Sequence, residues 1–138
     1  MARFPSPEWL VEYADAIRAS DALRDASQAW EGDITLVVEA EPDKGVGGDV
    51  WAWFHLHRGE FLGAKLVSPD EGERAKYVIK ASYSTWKDVI RGKIDPIRGM
   101  TQGKLRLSGD LPELTRHMQA VSELVNLAVL VSTEFADE

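Results

Sequence analysis

The chain has 138 residues, 44% of them hydrophobic, with no cysteine and a formal charge of −7. This length suits one domain, 1–138, with a real core, and the missing thiols exclude disulfides, cysteine nucleophiles and thiolate metal sites together. The acidic balance argues against a nucleic-acid partner, because phosphate backbones are usually met by a basic face.

Ser6-Pro7-Glu8 joins a capping hydroxyl, a proline suited to the first helical position and an early acid. Leu10, Tyr13, Ala14 and Ile17 then recur at helical spacing, which predicts a helix over 7–19. Ser20 opens a second helix whose Leu23, Ala26 and Trp30 share a face and which Gly32 stops, so that 6–31 holds the N-terminal helices.

From Asp33 the period becomes two, and 33–82 reads as four strands. The first puts Ile34, Leu36 and Val38 on one side. After a glycine-containing loop, Val50–His57 is apolar on both sides, with Phe54 and Leu56 opposite Trp51, Trp53, His55 and His57. Arg58-Gly59 reads as a tight hairpin turn into Phe61–Val67, and Ser68–Arg74 as a longer hairpin loop before Ala75–Ala81.

Ser84 is the expected cap of a helix carrying Trp86, Val89 and Ile90 and ended by Gly92. A short helix over 94–102 turns Ile97 and Met100 inward, so 84–102 holds two short helices. Strand 104–108 alternates, with Leu105 and Leu107 inward. Asp110 and Glu113 then form a capping pair for one long helix over 110–135, with a stripe of Leu111, Leu114, Met118, Val121, Val125 and Ala128. Extra apolar residues over 124–131 widen that stripe and predict a cover beyond the sheet. The fold class expected is α+β: a five-stranded, mostly antiparallel sheet with helices on one face.

Few patterns point to chemistry. His55 and His57 share a strand face, the minimum for two metal ligands, but no third ligand accompanies them, so no metal and no cofactor is expected. The serines lack a nucleophile-elbow pattern, and the paired acids fall in outward or loop positions. The chain reads as non-enzymatic. Its start has no apolar run of signal-peptide length, and the longest apolar stretch, 124–131, is interrupted by Asn126 and far below a bilayer span, so a cytoplasmic protein is expected.

The stretch from Arg91 to Asp110 carries a resemblance. Gly92-Lys93, Asp95-Pro96, Met100, Gly103-Lys104 with Leu105 and Leu107, and Gly109-Asp110 before the last helix resemble the sterol carrier protein 2-like family, with Trp53 to Gly59 in weaker support. The resemblance implies a hydrophobic cavity between sheet and helices that holds a fatty acid, acyl-CoA or sterol-like lipid. Its walls would be Leu36, Val38, Phe54, Leu56, Trp86, Ile90, Met100, Leu105, Leu107, Met118, Val121 and Val125. Burying about ten methylenes at roughly 0.8 kcal/mol each would suffice for micromolar binding after ordering costs.

Arg91, Lys93 and Arg98 form a basic island that would serve as a head-group rim or meet an anionic membrane transiently. If Phe54 and Leu56 point inward, Trp51 and Trp53 lie on the opposite face with Val37 and Val78, where a protein partner or second copy would dock; if the strand is the other way up, they line the cavity. The expected function is carriage or sensing of a lipid. The alternatives are a protein-interaction or dimerisation module with a collapsed core, and an accessory domain presenting lipid substrates to an enzyme.

Overall fold

The computed structural model describes residues 2–138. Strand β1 (Ala2–Phe4) leads into helix α1 (Pro7–Ala19) and α2 (Asp21–Ala26). Then come β2 (Ile34–Glu39), β3 (Val50–His57), β4 (Glu60–Leu66), a short α3 (Pro69–Gly72), β5 (Tyr77–Ser82), α4 (Tyr83–Ile90) and α5 (Pro96–Thr101). The chain ends with β6 (Arg106–Ser108), α6 (Leu111–Thr115), α7 (Met118–Leu130) and β7 (Thr133–Phe135). The architecture is α+β, with a five-stranded sheet in the order β4-β3-β2-β5-β6.

Local chemistry sets most boundaries. Ser6 Oγ accepts the Trp9 amide at 3.1 Å and Ser20 Oγ that of Leu23 at 3.0 Å, which satisfies donors that a helix start otherwise leaves unpaired. The α2 helix stops at Ala26, so Trp30 is fully buried by the turn after it rather than by a helical face. Arg58 and Gly59 both have positive φ, the conformation required of a two-residue hairpin turn that follows the strand twist. Ser82, not Ser84, caps α4; Ser84 donates its amide and hydroxyl to Glu41 at 2.7 and 2.9 Å. Asp110 caps α6 through the Glu113 amide, but the Glu113 carboxylate takes Lys76 instead of closing the box.

Segment 68–74 is not a hairpin loop. The β5 strand pairs in parallel with β2, from Ile34↔Tyr77 to Glu39↔Ser82, so the chain crosses the outer face of β3 and β2 and carries α3 with it. The other three strand pairings of this five-stranded sheet are antiparallel. The crossover explains why β2 is buried on both faces: Ile34 and Val38 face the helices, while Thr35 and Val37 lie beneath the crossover, where Thr35 Oγ1 donates to Gly72 O at 2.8 Å.

The long helix expected over 110–135 is two helices and a strand. His117 breaks it, with its ring edge-on to buried Trp30 at 5.2 Å. The break turns Met118 out to 47% exposure while keeping Leu114, Ala120 and Val121 buried. Helix α7 lies against α1, α2, α4 and α5, the cover its apolar breadth calls for, although Leu130 remains 78% exposed. Beyond it, β7 pairs in parallel with β1, Ala2↔Thr133 to Phe4↔Phe135, and ties the two ends of the described chain together. Asp137 Oδ1 accepts from Tyr83 Oη at 2.7 Å and from Lys87 Nζ at 2.9 Å, and Glu138 accepts from Lys87 and Arg91.

Candidate functional site: a cavity beneath the helices

Inward alternation on the sheet and the apolar faces of five helices, α1, α4, α5, α6 and α7, leave a space between them. It is a cavity of about 120 Å³. The sheet supplies Leu36 and Val38 from β2, Phe54 and Leu56 from β3, and Leu105 from the approach to β6; the helices supply Trp86 and Ile90 from α4, Met100 from α5, and Val121 and Val125 from α7. Leu107 and Met118 are not among the lining residues. Leu107 is half-buried on the edge strand β6, outside the wall residue Ile79, and the break at His117 turns Met118 to solvent.

Helix α1 forms a wall that is absent from the cavity residues expected from the sequence. Leu10 and Tyr13 line the cavity with Trp9, and Phe4 closes it from the N-terminal strand. The helical stripe in α1 was visible in the sequence; that it roofs a hollow beside the edge strand β4 depends on where the helix docks.

Each polar side-chain atom on this wall has a partner within the protein. Tyr13 Oη donates to Leu124 O at 2.7 Å, Trp9 Nε1 to Thr133 Oγ1 at 2.8 Å and Trp86 Nε1 to Val37 O at 2.8 Å. Burial pushes the Tyr13 phenol far up, so it stays a protonated donor at any ordinary pH. The remaining surface offers dispersion and desolvation, which select for apolar chains.

A cavity of about 120 Å³ is smaller than the roughly 150 Å³ that admits benzene. A long chain therefore requires the walls to part. Three wall residues paired across β2, β3 and β4, Leu36, Ala52 and Leu66, run from half-buried to 44% exposed, so the wall meets solvent there.

The other sequence candidates are scattered. Arg91 lies over the Phe135 ring at 4.7 Å and pairs with Glu138, while Lys93 and Arg98 are exposed; none of the three lines the cavity. The stretch 91–110 thus lends the cavity Pro96, Met100 and Leu105 and turns its charges elsewhere. His55 Nδ1 lies 3.0 Å from Asp33 Oδ2, which also accepts from Trp53 Nε1 at 2.9 Å. Among the described residues, no group of three or more potential metal ligands gathers. Trp51 and Trp53 are on the outer face, half-buried against Val37, Ala75 and Val78, with Lys80 Nζ 5.0 Å over the Trp51 ring; the apolar outer surface is smaller than the sequence suggests.

Comparison with known proteins agrees with this architecture. The sequence profile of the SCP-2 sterol transfer family matches residues 14–122. A crystal structure of sterol carrier protein 2 is 34% identical, with a TM-score of 0.82, over 92% of this chain and 98% of the other. A conserved hypothetical protein from Thermus thermophilus is also 34% identical, with a TM-score of 0.80, over 94% of this chain and 90% of its own. A palmitated SCP2L2 from Aedes aegypti, at 14% identity and a TM-score of 0.59 over 84% of this chain and 94% of its own, shares the fold. Curated protein sequences give no match. Among the described residues no helix is long and apolar enough to cross a membrane. With its five-stranded sheet, helical roof and apolar hollow, the chain belongs to the SCP-2 sterol transfer family, whose domain is a lipid-binding and lipid-transfer fold.

Proposed function

We propose that this chain is a non-enzymatic carrier, in a cytoplasmic setting, that takes the apolar chain of a fatty acid or a similar lipid into the cavity between sheet and helices. The carrying observation is the composition of the wall: apolar side chains contributed from both layers, with Tyr13, Trp9 and Trp86 each paired within the protein. No wall group is left demanding a polar partner, so affinity would come from area removed from water, about 0.8 kcal/mol per buried methylene. Met100, which adapts to irregular shapes, and the half-buried Leu124 and Val125 are the wall positions best suited to yield as a chain enters.

Mass spectrometry of organic extracts from the purified protein tests this directly. Co-purifying fatty acids or sterols are the expected result. An extract free of lipid, together with tryptophan fluorescence from Trp9 and Trp86 that does not respond to added dodecanol, would count against it.

A further inference from the structure

Helix α7 turns one face to the cavity, through Val121, Leu124, Val125 and Ala128, and the opposite face to solvent. On the solvent side Gln119, Ser122, Asn126 and Val129 are all exposed. Their spacing of three, four and three residues is that of a helix–helix seam and keeps them in one row along the helix. Exposed Met118 and Leu130 flank the row at its two ends. Asn126, which interrupts the apolar run of the sequence, thus has a place near the middle of this row.

The row carries no charge, in a chain with 16 basic and 23 acidic residues. Helix α1, also 13 residues long, shows what the outer face of a surface helix here otherwise holds: Glu8, Glu12, Asp15 and Arg18, all exposed. In α7 the one charged residue is Glu123, and it is half-buried beside the row. Two copies of a protein with a net charge of −7 repel each other over most of their surface. An uncharged row ending in exposed apolar side chains is where that repulsion is least and the gain from excluding water is greatest.

The row also complements itself when a second copy is turned end for end. A two-fold axis beside the helix, level with Leu124, sets Ser122 against Asn126 of the second copy and Gln119 against its Val129, and each contact is made twice. Ser122 can donate its hydroxyl to the Asn126 side-chain carbonyl, the methylenes of Gln119 cover Val129, and Met118 arrives at the same end of the row as the second copy's Leu130. A polar residue in such a seam fixes register and orientation at a cost in affinity. We propose that the outer face of α7 is the interface of an antiparallel, two-fold symmetric homodimer. This places the contact between copies on the helical layer and not on Trp51 and Trp53, which are half-buried against their own sheet. A helix of 13 residues is about 20 Å long, and one such pair buries less than the roughly 800 Å² per partner of a standard interface. The dimer is therefore reversible, with a Kd on the order of 10–100 μM.

Sedimentation equilibrium of the full chain between about 5 and about 500 μM, a range that brackets this Kd, tests it. The wild type is expected to pass from monomer to dimer across the range. Asn126→Asp, a change at an exposed position, puts a carboxylate into the row of both copies and weakens association at least about tenfold. Ser122→Arg with Asn126→Asp sets a guanidinium against each carboxylate across the two-fold axis and restores it, which parallel pairing would not do. Glu123→Gln, which removes two carboxylates that the two-fold axis brings to one flank, tightens the dimer. A wild type that stays monomeric throughout overturns the proposal, as does a dimer indifferent to Asn126→Asp or a double variant that associates no better than the single one. Flotation of a monomeric chain with phosphatidylcholine vesicles, abolished by Asn126→Asp, would assign the row to a lipid surface and overturn the dimer.

Discussion

The two faces of the sheet are built from the same alternating strands and end in opposite states. On the outer face, Thr35, Val37 and Val78 are almost wholly buried beneath the crossover, and a methyl group added to Gly72 would stand 2.5 Å from Trp51 Cε3. On the inner face Ile34, Phe54 and Leu56 are buried as well, yet a cavity remains, because α7 rests on its neighbouring helices rather than settling onto the strands. Apolar side chains do not by themselves fill a core. What fills it is how closely the covering element approaches, and a four-residue helix in a crossover comes closer than a layer of helices that support one another.

Four experiments would break or sharpen this contrast. The largest effect is expected on the tight face: Gly72→Ala forces its methyl into Trp51 and Thr35 and should cost about 1–3 kcal/mol, measured by urea unfolding. A cost near zero would mean that the outer face is looser than its geometry implies. On the open face, Ala52→Leu adds bulk to the cavity wall. It should weaken dodecanol binding about tenfold, or about 1.4 kcal/mol, while Tm stays within about 2 °C; a drop in Tm comparable to that of Gly72→Ala would erase the contrast. Thr35→Val keeps the shape but removes the donor to Gly72 O, at an expected cost of about 1 kcal/mol in the same unfolding assay.

The smallest effect concerns the end of the helical layer. The Lys87 ammonium, and then the Tyr83 hydroxyl, hold the Asp137 carboxyl down at about 2, from an ordinary value of 3.8. A depressed folded-state value contributes stability that is fully present above the unfolded value and is lost as pH falls through the folded one. Amide protection factors in β7, which divide out the intrinsic exchange rate at each pH, should therefore fall between about pH 4 and pH 2, and Asp137→Asn should flatten that dependence. Protection factors that are flat across this window in the wild type would show that Asp137 does not anchor the strand.

Much of the fold was legible because the signals were local. Strand β3 falls at Val50–His57 as its alternation predicts, Arg58-Gly59 turns as a two-residue hairpin, and Ser6, Ser20 and Asp110 cap the helices they precede. Strands β1 and β7 escaped notice because three residues are too few to show a period, and their pairing joins positions about 130 apart. The expectation of a hairpin between β4 and β5 failed because loop composition marks a turn without saying which strand comes next. The helix break at His117 carried no glycine or proline at the break itself, and it accounts for the displacement of Met118.

Alternation, capping residues and composition determined the elements, the inward side chains of the sheet and an overwhelmingly apolar chemistry, because each of these depends on neighbours within a few residues. Strand order, the closeness of the two covers and the docking of α1 were decided only in three dimensions, by packing between segments far apart in the chain.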